Sequence, residues 1–150
     1  MATISEIYRH LNTVLPSSLS CDWDNDGLMV CAAPDKEVKK ILLALDVTPA
    51  VIEYAVQIGA DLIISHHPLI FSGIKRMDGH DGTSRKVISL LQNDIAVMSF
   101  HTRLDAADGG VNDILAPEVA GPEANGPSHA GVQPSTDVFI LLLQKPQQGL

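Results

Sequence analysis

Two adjacent histidines, His66 and His67, end the apolar run Ile63-Ile64-Ser65 and are followed by Pro68-Leu69-Ile70-Phe71. Paired imidazoles at the end of a buried strand are costly to place without a partner, and a divalent metal is their usual one. A third imidazole, His101, precedes Asp105 by four residues in His101-Thr102-Arg103-Leu104-Asp105, a workable ligand spacing in a loop or a first helical turn. Side chains alternate along extended backbone. His66 and His67 are therefore expected to point to opposite sides and to serve two metals, or one metal and one supporting role. Taken singly, each histidine reads first as a hydrogen-bonded structural residue, and Asp105 as a helix cap before Ala106-Ala107. His10, His80 and His129 lack comparable surroundings and are assigned no role.

Bringing these residues together is a task for the surrounding elements. Ile4, Ile7, Tyr8, Leu11, Val14 and Leu15 recur at three- and four-residue spacing, which predicts an amphipathic helix over residues 3–15 that Thr3 or Ser5 caps and Pro16 stops. The polar segment Cys21-Asp22-Trp23-Asp24-Asn25-Asp26-Gly27-Leu28 reads as a turn holding the only tryptophan, and Leu28 to Cys31 as a short strand. Ile41 to Val47 is a near-continuous apolar strand, after which Thr48-Pro49 starts a helix that Gly59 ends. Asp61 to Ser65 is the next strand, and Ser72 to Gly82 a polar loop with the basic pair Lys75-Arg76. Thr83 is expected to cap a helix running through Leu91, ahead of a strand from Ile95 to Phe100. Gly109-Gly110 introduces a short helix to about Ala116. Strand, helix, strand, helix, strand predicts an α/β fold, with a parallel or mixed sheet built from βα units and flanking helices. Ligands of such sheets gather at the carboxyl ends of the strands. Those ends carry Asp46, then His66 and His67, then His101 with Asp105 beyond.

Composition sets the limits. The 150 residues suit one domain, and a net charge of −8 argues against binding a nucleic-acid backbone. A bound metal can still invert the local field, so a small anionic substrate is compatible with that charge. Cys21 and Cys31 are too few for a disulfide framework and lack metal-finger spacing. The apolar runs fall short of the roughly 20 residues of a membrane helix, and no secretory signal begins the chain, so a cytoplasmic location is expected. Residues 117–134 are rich in Pro, Gly, Ala, Ser and Asn, which predicts a core domain over 1–116 and a divergent, flexible tail over 117–150. Asp137 to Gln144 reads as an isolated strand within that tail.

Four motifs follow one another along the chain: W-D-N-x-G-L at Trp23–Leu28, A-L-D-V-T at Ala44–Thr48, S-H-H-P-L-I-F at Ser65–Phe71 and H-T-R-L-D-A-A-x-G-G-V-N at His101–Asn112. In that order they resemble the Ngg-interacting-factor-three-like family, whose bacterial members carry the label GTP cyclohydrolase I type 2 homologue. The resemblance implies two divalent metal ions, with His66, His67 and Asp105 as ligands and His101 as a lesser candidate. Imidazole nitrogen and carboxylate oxygen suit zinc, iron or manganese. It also implies a cytoplasmic hexamer. Asp46 and the Trp23-Asp24-Asn25 loop are, with His101, lesser candidates near the metals, and Asp46 and His101 are the candidate catalytic groups. The family closes its site with a C-terminal G-H-x-x-x-E stretch that has no counterpart here: no histidine follows His129, and Glu118 and Glu123 fall in the expected tail. A truncated or frame-shifted member with weakened metal affinity is the corresponding expectation. The implied activity is metal-dependent hydrolysis of a small phosphorylated or nucleotide-like molecule. The competing reading is a non-catalytic metal-binding assembly protein, or an inactive member.

Overall fold

The computed structural model describes residues 1–120 and 139–142. Five strands form one mixed sheet: β1 (Gly27–Val30), β2 (Lys40–Ala44), β3 (Leu62–Ser65), β4 (Ala96–Ser99) and β5 (Phe139–Leu142), in the order β1-β4-β3-β2-β5. The three central strands are parallel, in a register that sets Ala44 beside Ser65 and Ser65 beside Ser99. β1 lies antiparallel on β4, and β5 antiparallel on β2. The segment expected to form an isolated strand thus joins the sheet edge. The rest of the expected tail, residues 121–138 and 143–150, lies outside the described residues.

Central strands bury alternate residues on opposite faces, as a sheet covered on both sides requires. Leu42, Ala44, Ile63 and Val97 face a core made with α2 (Pro49–Ile58) and α3 (Gly82–Gln92), through Val51, Ile52, Ala55, Val87 and Leu90. Ile41, Leu62, Ala96 and Met98 face the other way, onto α1 (Ile4–Val14) through Ile4, Ile7 and Leu11. α1 does not cover that face completely. An apolar cavity of about 600 Å³ remains between it and the sheet, lined by Leu11, Ile41, Leu43, Ile64 and Phe100 and reaching His66.

Local chemistry fixes where the helices start. Thr3 and Glu6 form a reciprocal capping box on α1, and Thr48 caps α2 ahead of Pro49. α3 departs from expectation: its cap is Asp81, whose carboxylate accepts the backbone N–H groups of Thr83 and Ser84. A carboxylate reaches two free helix-end donors and complements the helix dipole, which favours it over the threonine hydroxyl. The last described helices are α4 (Thr102–Ala106) and α5 (Val111–Ala120). α5 continues past the expected end at Ala116, so Glu118 is helical rather than part of a linker.

Candidate metal centre

The parallel strands end level with one another, and their ladders continue into the loops beyond. His66 N–H donates to Ala44 O and His67 N–H to Leu45 O, while Phe100 N–H donates to Ser65 O. Beneath, the buried hydroxyls of Ser65 and Ser99 meet at 2.9 Å. These bonds bring Asp46, His66, His67 and His101 to one edge.

His66 and His67 do not splay to opposite sides as alternation predicts. β3 stops at Ser65, and the two histidines occupy a bend in which Ser65 Oγ donates to His67 O at 2.9 Å. Once the extended backbone ends, side-chain alternation no longer applies. The two rings lie 5.0 Å apart, and His101 approaches them at 5.4 and 5.8 Å. One nitrogen from each of the three histidines falls within 4.8 Å of the others. His101, expected as the lesser candidate, is thus a full member of the tightest cluster, whereas Asp105 stands at its border with Oδ1 3.7 Å from His66 Nε2.

Two carboxylates orient the cluster. Asp46 Oδ1 lies 2.8 Å from His67 Nδ1, and Asp24 Oδ1 lies 3.0 Å from His101 Nδ1. An ionised carboxylate only accepts, so each ring donates Nδ1–H, and Nε2 is the nitrogen left to offer a ligand lone pair when the ring binds a metal. Burial works to raise the Asp24 carboxyl, but the hydroxyl and N–H of Thr102 and the His101 ring outweigh it and hold the group down to about 2. Burial pushes the His66 imidazole below the ordinary histidine value, Asp105 opposes that, and the neighbouring imidazoles reinforce it. His66 Nδ1 is buried without a hydrogen-bond partner among the described residues. Three converging imidazoles, one of them with a buried nitrogen that has no hydrogen-bond partner among the described residues, fit a nitrogen-preferring divalent ion such as zinc or iron. With Asp105 they make four donors, enough for one tetrahedral ion.

Arg103 is the residue whose importance its type and position did not announce. Only 2 % exposed, it pairs with Asp26 through two nitrogens and donates to Asn12 Oδ1 at 2.7 Å, Leu15 O at 3.0 Å and Ser20 Oγ at 3.2 Å. It thereby pins α4, which carries Asp105, to the end of α1 and to the loop that carries Asp24. Beside it, Gly27 makes room for the α1 side chain Tyr8, since its φ is +108° and a Cβ there would stand 2.8 Å from the Tyr8 hydroxyl. The one available signal was the joint presence of W-D-N-D-G and H-T-R-L-D; nothing in either alone pairs Asp26 with Arg103.

A sheet with histidines and carboxylates gathered at the carboxyl ends of parallel strands defines an open α/β protein with a site able to hold a metal ion. The chain belongs to the Duf34/NIF3 (NGG1p interacting factor 3) family, whose sequence profile matches residues 2–125. It is 42% identical over 112 residues to a GTP cyclohydrolase 1 type 2 homolog of Clostridium perfringens, covering 75% of this chain and 42% of that one. A NIF3-like protein 1 of Drosophila melanogaster is 40% identical over 116 residues, 77% of this chain and 40% of the relative. Among solved structures, a Bacillus cereus protein related to NIF3 superposes with a TM-score of 0.71 at 39% identity, covering 77% of this chain and 32% of the other. Reduced HcgD from Methanocaldococcus jannaschii gives 0.70 at 37% identity, with 77% and 46% covered. The chain therefore spans 42% and 40% of the length of the two curated relatives. No helix among the described residues is long and apolar enough to cross a membrane.

Proposed function

We propose that this chain provides the histidine wall of a divalent-metal centre in a cytoplasmic hydrolase acting on a small phosphorylated or nucleotide-like molecule. The observation that carries the reading is the convergence of His66, His67 and His101, two of them oriented by buried or neighbouring carboxylates. His66, His67, His101 and Asp105 would hold the ion. Such an ion supplies Lewis acidity toward a substrate oxygen and acidifies water to a pKa of roughly 7. The remaining work belongs to the protein. Asp46 is half exposed, and its Oδ2 makes no hydrogen bond among the described residues, so it is placed to accept a proton while Oδ1 steadies His67. His101 is engaged at Nδ1 by Asp24 and faces the cluster, which suits a ligand better than a free base.

A second reading rests on the donor count. Four protein donors serve one ion, and a dinuclear centre of zinc, iron or manganese needs further ligands, from other sequence or from a neighbouring copy in a hexamer. On that reading the chain is a metal-binding assembly protein without turnover of its own. Elemental analysis of the purified chain, alongside phosphoesters and nucleotides followed for both phosphate release and ring modification, separates the two. The hydrolase reading expects bound metal and turnover that the double variant His66→Ala/His67→Ala abolishes. Metal without turnover of any substrate supports the assembly reading; a metal content unchanged in the double variant refutes both.

A further inference from the structure

Two large aromatic side chains stand exposed at the rim of the histidine cluster: Trp23 at 63% and Phe71 at 54%. Their centroids are 6.2 Å apart at 57°, and Trp23 meets the His101 ring at 6.2 Å, close to edge-on. They come from separate loops, which are fastened together where Asn25 Nδ2 donates to Ile70 O. Asp24, next to Trp23, is anchored in turn on Thr102 and His101. The pair is thus preorganised. It is no slot: a ring sandwiched between two others needs about 7 Å, twice the contact distance of roughly 3.5 Å. It is an angled wall with outward faces.

Beyond Phe71 a cavity of about 620 Å³ opens, lined by Lys75, Arg76, Asp78, His80 and Asp81 among others. Both acids are already occupied: Asp78 accepts the His80 N–H, and Asp81 caps α3. Lys75 and Arg76 make no ion pair among the described residues. In a chain of net charge −8, Lys75 and Arg76 thus line the cavity as cations without an ion-pair partner, beside two carboxylates whose charge is met in part by backbone N–H groups and the N-terminus of α3.

We propose that Trp23 and Phe71 dock the planar heteroaromatic ring of a nucleoside-phosphate-like ligand, with its phosphate in the adjoining cavity against Lys75 and Arg76. This rests on taking the histidine cluster as the reacting centre. It adds an order: histidines, ring, phosphate. The phosphate is then a handle at the far side of the ring, and the ring end faces His101.

Trp23 is the single tryptophan, so its fluorescence reports the wall directly. The full chain is titrated with AMP, adenosine and ribose 5-phosphate, without following turnover. AMP is expected to quench saturably, and ribose 5-phosphate to bind at least tenfold more weakly. Phe71→Ala should weaken AMP about 5- to 150-fold, the range for losing one stacking partner, while Phe71→Tyr restores binding. Lys75→Ala/Arg76→Ala should weaken AMP roughly 3- to 10-fold at low salt and leave adenosine unchanged. Equal binding of AMP and ribose 5-phosphate overturns the proposal, as does the absence of saturable quenching. A change in assembly mass for Phe71→Ala overturns it too, since the wall would then be an interface between copies. Ring-dependent quenching, with no turnover in the separate phosphoester and nucleotide assays, leaves the wall standing and removes the hydrolase reading. Turnover without ring preference does the reverse.

Discussion

Replacing Asp24 by asparagine separates orientation of the histidine cluster from its mere presence. The Asp24 side chain is fully shielded from solvent. Oδ2 receives the N–H of Thr102 at 3.1 Å and its hydroxyl at 2.5 Å, while Oδ1 faces His101 Nδ1 at 3.0 Å. Asparagine has nearly the same shape but one acceptor oxygen. With that oxygen kept on Thr102, the amide NH2 meets His101 Nδ1, which must then accept. The ring proton moves to Nε2, the nitrogen otherwise free to face the cluster. Loss of such an orienting partner typically lowers metal affinity by about 10- to 100-fold, or roughly 1.4–2.7 kcal/mol. The charge-assisted bond lost from a buried position destabilises the metal-free fold by about 1–3 kcal/mol. Zinc competition against a chromophoric chelator reads the first effect; urea unfolding in excess EDTA reads the second. A variant that loses stability yet binds zinc within about twofold of the parent would refute the reasoning, because the tautomer of His101 would then be irrelevant to the site.

Arg103→Met should cost about 3–5 kcal/mol, the range for leaving a buried partner charge uncompensated, here Asp26; the double variant Arg103→Met/Asp26→Leu, measured by urea unfolding, should recover part of that loss. Gly110→Ala places a Cβ 2.1 Å from Leu104 O and 2.7 Å from Ala107 O, so the turn between α4 and α5 must shift, with an expected loss of about 1–3 kcal/mol in thermal or urea unfolding. Asp61 precedes β3, at the opposite end of that strand from His66. Burial works to raise its carboxyl, but the N–H groups of Lys39 and Lys40 and the Lys36 ammonium outweigh it and hold the group below its ordinary value. A depressed folded value means that its stabilisation is present above the unfolded carboxylate pKa near 3.8 and is lost as pH falls below it. Asp61→Asn should therefore lower stability at neutral pH and flatten the acid limb of a stability–pH profile; parallel limbs for parent and variant would contradict this.

The sheet was legible because the apolar runs at residues 41–47, 61–65 and 95–100 are spaced by helical segments with clear starts and stops. Strand-end placement followed from topology, and it brought Asp46, His66, His67 and His101 to one edge without reference to any partner side chain. What sequence could not supply was the geometry past the strand ends. Alternation assigns His66 and His67 opposite faces only while the backbone stays extended, and the bend closed by the Ser65 hydroxyl lies beyond that rule. The pairings of Asp24 with His101 and of Asp26 with Arg103 span 77 residues each, and a single sequence carries no signal that joins them. The same loop illustrates why local readings undervalue such residues. Trp23-Asp24-Asn25-Asp26-Gly27 has the composition of an ordinary turn, but the turn itself is confined to Asp22-Trp23, where Asp24 N–H donates to Cys21 O; beyond it Asp24 orients a histidine, Asn25 ties in Ile70, and Asp26 neutralises a buried arginine. Turn chemistry explains why the chain reverses there. It leaves open which of the polar side chains are spent on the turn itself, and here most of them are directed outward, to the elements that carry the histidines.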